Sequence, residues 1–289
     1  MTDQDSFQRF VFEGMGVRGE MVHLDSSWQA ILDRHPYPSS VQAQLGQAMA
    51  AVVLLSATIK FQGSLILQAK SDGPLHTLVA QATHNRTIRG LAQWREEPPV
   101  GADLHQTFGN GWLVLTIQNE GAEPYQGIVG LEGANLASAI QSYFSRSEQL
   151  ETKLWLAADE ERAVGLFVQE LPTQHGDRED WDRITMLADT VTDEELLRVP
   201  AEDLIYRLFN QEQIRMFPAE SVNFRCGCSR DRIADMLLSL GKSEVDAIIQ
   251  DVGSIEVGCE FCNRRYRFDS VDAKSLFAEQ VLPASQTRH

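Results

Sequence analysis

The first 225 residues of the 289-residue chain contain no cysteine. That gap excludes a secreted disulfide scaffold, in which a small core is stapled by many bridges. Positive charge is also scarce, with 25 Lys and Arg against 41 Asp and Glu, a formal net charge of −16. Phosphate backbones and anionic lipid surfaces are bound through basic residues, so no nucleic acid and no membrane is expected as a partner. Long hydrophobic runs are missing as well. Residues 1–20 hold no apolar run of signal-peptide length, and the longest run, over 48–59, is too short to span a bilayer. A soluble, cytoplasmic protein is the expectation. At 43% hydrophobic and 23% charged, the chain has the composition of one or two globular domains rather than of a disordered polymer.

Glycines at 14, 16 and 19 join two extended segments, with Phe7, Phe10 and Phe12 before them and Met21, Val22 and Leu24 after. Gly14-Met-Gly-Val-Arg-Gly19 matches the spacing of a dinucleotide site, but such a site needs a helix N-terminus to receive the pyrophosphate. Glu20-Met-Val-His-Leu24 continues as a strand, so a glycine-rich turn is the preferred reading. A short helix is predicted over 27–34, ended by His35-Pro-Tyr-Pro38, and a long one from about Ser40, where Ser39 and Gln42 fit a capping box. Val41, Leu45, Ala48, Met49, Val52, Leu55 and Ile59 share one face of it. Val53 and Leu54 extend the apolar surface nearly all round, the pattern of an enclosed helix. Strands are predicted over 64–70, 75–81, 87–94, 112–118 and 126–131, then a helix over 135–145 and a strand pair over 153–157 and 163–169. The fold class is α+β, with a core domain over residues 1–172. It shows no catalytic constellation. His23, His35, His76, His84 and His105 are far apart in sequence, as structural or surface histidines are.

The texture changes over residues 173–222. Within 173–220 there are 12 acidic residues against five arginines, yet Trp181, Ile184, Leu187 and Ala188 fall at helical spacing, as do Leu204, Ile205, Leu208 and Phe209. Two or three short amphipathic helices are predicted. Such helices are marginal alone, so the segment is either a packed helical hairpin or a linker ordered only by what it docks against.

All four cysteines fall in a module over residues 223–289, as Cys226-Gly-Cys228 and, after thirty intervening residues, Cys259-Glu-Phe-Cys262. Two close thiol pairs separated by a loop suit one tetrahedral Zn²⁺, which binds thiolates at about 2.3 Å. No histidine lies between Cys226 and Cys262, so a four-thiolate site is assigned. Between the pairs, Ser229 caps a predicted helix bearing Ile233, Met236, Leu237 and Leu240, ended by Gly241, and Ser243 with Asp246 opens a second. Strands are predicted at 254–257 and 265–268. So few large apolar residues call for a staple, and zinc contributes on the order of 10–16 kcal/mol in zinc-finger peptides. The single residue between Cys226 and Cys228 also allows a small disulfide ring. Three readings stand side by side: an inert zinc ribbon, a redox switch that exchanges zinc for disulfides, and a thiol-disulfide oxidoreductase.

Phe224-Arg-Cys-Gly-Cys-Ser-Arg230 and Ile255-Glu-Val-Gly-Cys-Glu-Phe-Cys262, followed by Tyr266 and Phe268-Asp269, resemble the zinc-domain signature of the redox-regulated thirty-three-kilodalton heat-shock chaperonin of bacteria. The likeness continues through Arg18-Gly19, His35-Pro-Tyr-Pro38, Leu45-Gly46, Gly109-Asn-Gly-Trp112, Tyr143-Phe144 and Ser147-Glu-Gln149, across essentially the whole chain. The resemblance implies a non-enzymatic, ATP-independent holdase that binds unfolding client proteins after oxidation. It implies one Zn²⁺ per chain in the reduced form, held by Cys226, Cys228, Cys259 and Cys262. It further implies that Cys226 pairs with Cys228, and Cys259 with Cys262, as disulfides in the oxidised form. A client-binding core over 1–172, a metastable linker over 173–222 and a redox-switch domain over 223–289 are implied with it, as is a homodimer on activation.

Overall fold

The structure, a computed structural model of the chain, describes residues 5–172 and 178–279. The first five residues of the expected linker, 173–177, and the end of the expected zinc domain, 280–289, lie outside the described residues. Internal contacts divide the chain into two compact units, Met1–Arg225 and Cys226–His289.

In the first unit, β1 (Ser6–Phe12) and β2 (Val17–Leu24) form an antiparallel hairpin. Its turn uses Gly14 and Gly16 at φ 80° and 63°, a left-handed backbone that costs glycine little. Because β2 and no helix follows, the glycine motif is a turn and not a nucleotide site. Helices α1 (Ser26–Leu32) and α2 (Ser39–Thr58) come next, then β3 (Gly63–Ser71), β4 (Leu75–Thr83), β5 (Thr87–Trp94), α3 (Leu104–Phe108), β6 (Gly111–Asn119) and β7 (Tyr125–Gly130). Helix α4 (Leu136–Tyr143) and the pair β8 (Thr152–Ala158) and β9 (Ala163–Glu170) follow. Three further helices, α5 (Arg178–Ala188), α6 (Asp193–Arg198) and α7 (Ala201–Phe209), precede three very short strands, β10 (Ile214–Met216), β11 (Glu220–Ser221) and β12 (Asn223–Phe224). One sheet runs β10-β1-β2-β9-β8, with β11 also on β1, and the other β12-β5-β4-β3-β6-β7.

Helix α2 lies between the two sheets, touching β2, β8 and β9 of one and β3, β4 and β5 of the other. Its apolar surface is enclosed all round, with Leu45, Met49, Val53 and Leu54 fully buried. Glycines on both sheets let it approach: a Cβ at Gly90 would stand 2.4 Å from Met49 Sδ, and one at Gly165 2.8 Å from Leu54 Cδ1. By length and apolarity alone this helix could cross a membrane, being longer than the 48–59 run. Here it is a core helix, with 67% of its most apolar window buried. The expected capping box is not formed. Ser39 is the first helical residue, Pro38 holds the cap position without a side-chain bond, and Gln42 Nε2 donates instead to the Tyr37 carbonyl at 2.8 Å. The Pro38 carbonyl accepts the first helical N–H groups, from Val41 and Gln42, which leaves no cap position for the serine.

The opposite face of the first sheet is covered by α5, α6 and α7. Trp181, Ile184, Leu204, Leu208 and Phe209 meet Phe10, Phe12, Met21, Leu166 and Val168 in a second core. Phe209 stands edge-on to Phe12 at 5.0 Å between ring centroids. The acidic side chains of these helices lie at the surface, some in exposed ion pairs such as Arg207 with Glu195 at 2.9 Å. The helical hairpin is thus packed on the first unit's own sheet.

Glu20 on β2 is only 1% exposed, with Oε2 lacking a hydrogen-bond partner. Burial pushes its carboxyl up to about 7, against the attraction of Arg18, Arg86 and Arg9 and with a small push from Glu220. The folded state therefore holds this proton more tightly than the unfolded chain, whose ordinary value is 4.5. The stability that follows is fully present below the unfolded value and is lost as pH rises through the folded one, ~3 kcal/mol in all. Glu20→Gln is expected to remove this loss, raising the thermal midpoint at about pH 8 far more than at about pH 5. Equal effects at both would show that Glu20 does not titrate in this range.

In the second unit, α8 (Arg230–Leu240) and α9 (Lys242–Val252) precede the hairpin of β13 (Ser254–Gly258) and β14 (Arg265–Asp269), then α10 (Ser270–Glu279). Ser229 caps α8 as expected, accepting from the Arg232 N–H at 3.2 Å. The second helix begins earlier than Ser243. Gly241, at φ 97°, both ends α8 and precedes Lys242, the first residue of α9, so Ser243 is already inside the helix. Among the described residues the buried core of this unit is six residues, Leu237, Val245, Ile255, Tyr266, Phe268 and Ala273. A core of that size rarely suffices by itself.

Candidate metal centre

Cys226 and Cys228 lie on the loop entering α8, and Cys259 and Cys262 on the turn between β13 and β14. The second turn is closed by backbone bonds: the Cys259 N–H donates to the Arg264 carbonyl at 2.9 Å, and the Asn263 N–H to the Cys259 carbonyl at 2.8 Å. Asn263 takes a left-handed φ of 57°, which turns the chain into β14. The second pair is thereby presented from a short, well-bonded turn.

The four sulfurs lie within 4.8 Å of one another. Cys226 Sγ is 3.6 Å from Cys259 Sγ, and Cys228 Sγ 3.4 Å from Cys262 Sγ, so each sulfur of one pair touches one of the other. All four are free thiols, half-buried. A tetrahedral ion with Zn–S bonds of about 2.3 Å has sulfur edges of about 3.8 Å. The donor set and its size both fit. Among the described residues the cysteines form a cluster able to coordinate a metal, and the five histidines singled out from the sequence do not join it.

The surroundings tune the sulfurs unequally. Burial, reinforced by the neighbouring thiols, pushes Cys262 up to about 12, and burial also raises Cys259. At Cys228 burial acts the same way but is outweighed by hydrogen bonds, first from Tyr266 and then from the other thiols, which bring it down to about 7. The Tyr266 hydroxyl donates to Cys228 Sγ at 3.2 Å, and the Arg264 guanidinium bonds that hydroxyl in turn. Backbone N–H groups of Phe261 and Cys262 point at the Cys259 sulfur. Four thiols this close ionise together only if a cation shares their charge.

Tyr266 and Arg264 were not assigned a role by the spacing of the cysteines. The signal for Tyr266 is the alternation along β14, which buries Tyr266 and Phe268 on one face. Groups that bond a ligand atom from behind commonly govern metal affinity about 10- to 100-fold. Tyr266→Phe is expected to raise the zinc dissociation constant by about that factor, read by competition with a chromogenic chelator. Unchanged affinity would mean that the O–H···S bond is incidental.

The family model described as Hsp33 protein matches residues 5–269. The 33 kDa chaperonin of Nitrosococcus oceani is 61% identical over 290 residues, covering 100% of both chains. That of Methylobacillus flagellatus is 45% identical over 294 residues, again covering 100% of each. The crystal structure of the 33 kDa chaperonin (heat shock protein 33 homolog) from Thermotoga maritima has the same fold, with a TM-score of 0.83 over 96% of this chain and 99% of that one at 22% identity. With the family model matched across both units and relatives aligned end to end, this chain belongs to the Hsp33 family of non-enzymatic holdase chaperones.

Proposed function

We propose that the chain is a redox-regulated, ATP-independent holdase of the cytoplasm, inactive while its cysteines are reduced. The observation that carries this reading is the cluster of four free thiols within 4.8 Å, drawn from two loops of a unit with a six-residue core. Cys226, Cys228, Cys259 and Cys262 would hold one zinc ion. Bound there, the ion supplies folding free energy on the order of 10–16 kcal/mol, by analogy with zinc-finger peptides.

Oxidation changes the ligands themselves. Each thiolate pair, Cys226 with Cys228 and Cys259 with Cys262, would give two electrons to one molecule of peroxide, which takes up two protons from solvent and leaves as two waters. The sulfurs joined in each S–S bond are no longer thiolates, so the chain gives up its zinc and the redox-switch domain, 223–289, loses its staple. Residues 173–222 then act as a metastable linker. Helices α5, α6 and α7 are 11, 6 and 9 residues long, lengths at which a helix holds only by its packing. Their release uncovers Phe10, Phe12, Met21 and Leu166 on the core domain, 1–172, an apolar face for unfolding client proteins. The net charge of −16 keeps the opened chain soluble, and the active form is a homodimer, as the family resemblance implies.

The test is to treat the reduced, zinc-loaded chain with peroxide under mild heat, measuring zinc release and light scattering from a denatured client together. One zinc released per chain with suppressed scattering, both reversed by dithiothreitol and zinc, is expected. Zinc retained under peroxide, or equal suppression before and after oxidation, contradicts the switch and leaves a constitutive binding protein with a structural zinc site.

A further inference from the structure

Residues 213–225 form a strap that stitches the free edges of both sheets. β10 and β11 lie antiparallel on β1, pairing Phe10 with Met216, Phe12 with Ile214 and Phe7 with Glu220. The chain then crosses over, and β12 lies parallel on β5, pairing Asn223 with Thr87 and Phe224 with Ile88. Without the strap, β1 and β5 would be the outermost strands on that side of their sheets. The strap's own N–H groups make the seam: Phe217 to the Arg9 carbonyl at 2.9 Å, Val222 to Asp5 at 2.7 Å, Asn223 to Arg86 at 3.0 Å and Arg225 to Ile88 at 3.0 Å. The next residue in the chain is Cys226.

Side chains read the strap at three positions. The Glu220 carboxylate lies between Arg9 at 2.5 Å and Arg86 at 3.1 Å. Val222 is fully buried in the main core. Phe224 lies under the Arg34 guanidinium, 4.4 Å from the ring centroid. The two edges are thus a shaped cradle for an extended segment carrying a carboxylate, then a branched apolar residue two positions on, then an aromatic residue two beyond that. Yet the strap's paired stretches are three, two and two residues long, with Pro218 between the first two, so little pairing holds any one of them.

We propose that the strap is a built-in occupant of a β-strand docking site, and that once it peels away the edges of β1 and β5 take up an extended segment of an unfolding client polypeptide. This rests on the holdase reading above and names how the client is gripped. Strand addition draws most of its affinity from main-chain hydrogen bonds, which every polypeptide offers, so it suits a partner of no fixed sequence. A bare edge strand is a template of this kind. Segments with the pattern of Glu220, Val222 and Phe224 are preferred, because Arg9, Arg86, Arg34 and the Val222 cavity remain in place when the strap leaves.

The test uses a labelled peptide of residues 213–225, which contains no cysteine, and the same peptide N-methylated at Phe217, Val222, Asn223 and Arg225. Methylation keeps every side chain and removes four of the N–H donors of the seam. The unmodified peptide is expected to bind the oxidised full-length chain by fluorescence anisotropy at least ~10-fold more tightly than the reduced chain, and to displace a denatured client. The methylated peptide is expected to do neither. Equal binding of both peptides overturns the proposal, since side chains alone would then carry recognition. Failure of both, while the oxidised chain still suppresses aggregation, overturns it and leaves the holdase reading intact. An oxidised chain that suppresses nothing removes both.

Discussion

Cys262→Ser is expected to unfold the second unit without any oxidant. A serine hydroxyl does not ionise at neutral pH, so the substitution removes one of four thiolates and its charge. Spread over four ligands, a binding free energy of 10–16 kcal/mol makes each worth ~3 kcal/mol, a loss of about a hundredfold or more in affinity. The remaining core, Leu237, Val245, Ile255, Tyr266, Phe268 and Ala273, is too small to absorb that loss. Dispersed amide resonances from 226–279 are expected to collapse at a zinc concentration that saturates the unsubstituted chain. In the first unit α2 and the central strands keep theirs, because the main core draws only on residues before Cys226, while 178–225 loses its own as it does on oxidation. Client suppression then no longer depends on peroxide. Full zinc stoichiometry with a dispersed spectrum would contradict a four-thiolate staple.

The second large effect is expected at Phe209, on the other side of the proposed relay. Its ring is 1% exposed, stands edge-on to Phe12 at 5.0 Å and lies 6.3 Å from Phe10. Phe209→Ala removes a buried aromatic ring, which costs about 3–5 kcal/mol in a core. Here that cost falls on helices with little stability of their own, so the layer of α5, α6 and α7 is expected to open while the two sheets stay closed around α2. Amide exchange over 178–209 should accelerate by ~10²–10³-fold with the cysteines reduced, and the reduced chain should suppress client aggregation. Phe209→Leu, which keeps most of the apolar volume, should do so only weakly. Accelerated exchange without suppression would separate the opening of the helices from client binding.

The elements legible in the sequence are those whose signal is local. Helix α2 announced itself by an apolar pattern too broad for a surface helix, and it is enclosed between two sheets. The five strands from β3 to β7 followed from alternation and turn residues, and the thiol cluster from two cysteine pairs whose spacing has few other uses. Details set by neighbours were not legible. Ser39 lost its capping role to Pro38, and Ser243 to Gly241, because the backbone entering each helix is shaped by the turn before it. The strap is the clearest case. Strands of two or three residues are too short to show a period, and the Phe217 carbonyl accepts from the Gln8 side chain, 209 residues away in sequence. Tyr266 was visible as part of a resemblance, but its bond to Cys228 depends on how β14 brings its ring to the opposite loop.

In the proposed switch the oxidation state of four sulfurs governs the order of residues 178–225, outside the unit that holds them. Hydrogen exchange followed by mass spectrometry on the reduced, zinc-loaded chain and on the peroxide-treated chain measures that linkage directly. Protection is expected to be lost on oxidation over 226–279, over the strap at 213–225 and over α5, α6 and α7, and to be retained in α2 and the central strands. Loss confined to 226–279 in a chain that nonetheless captures client would contradict it.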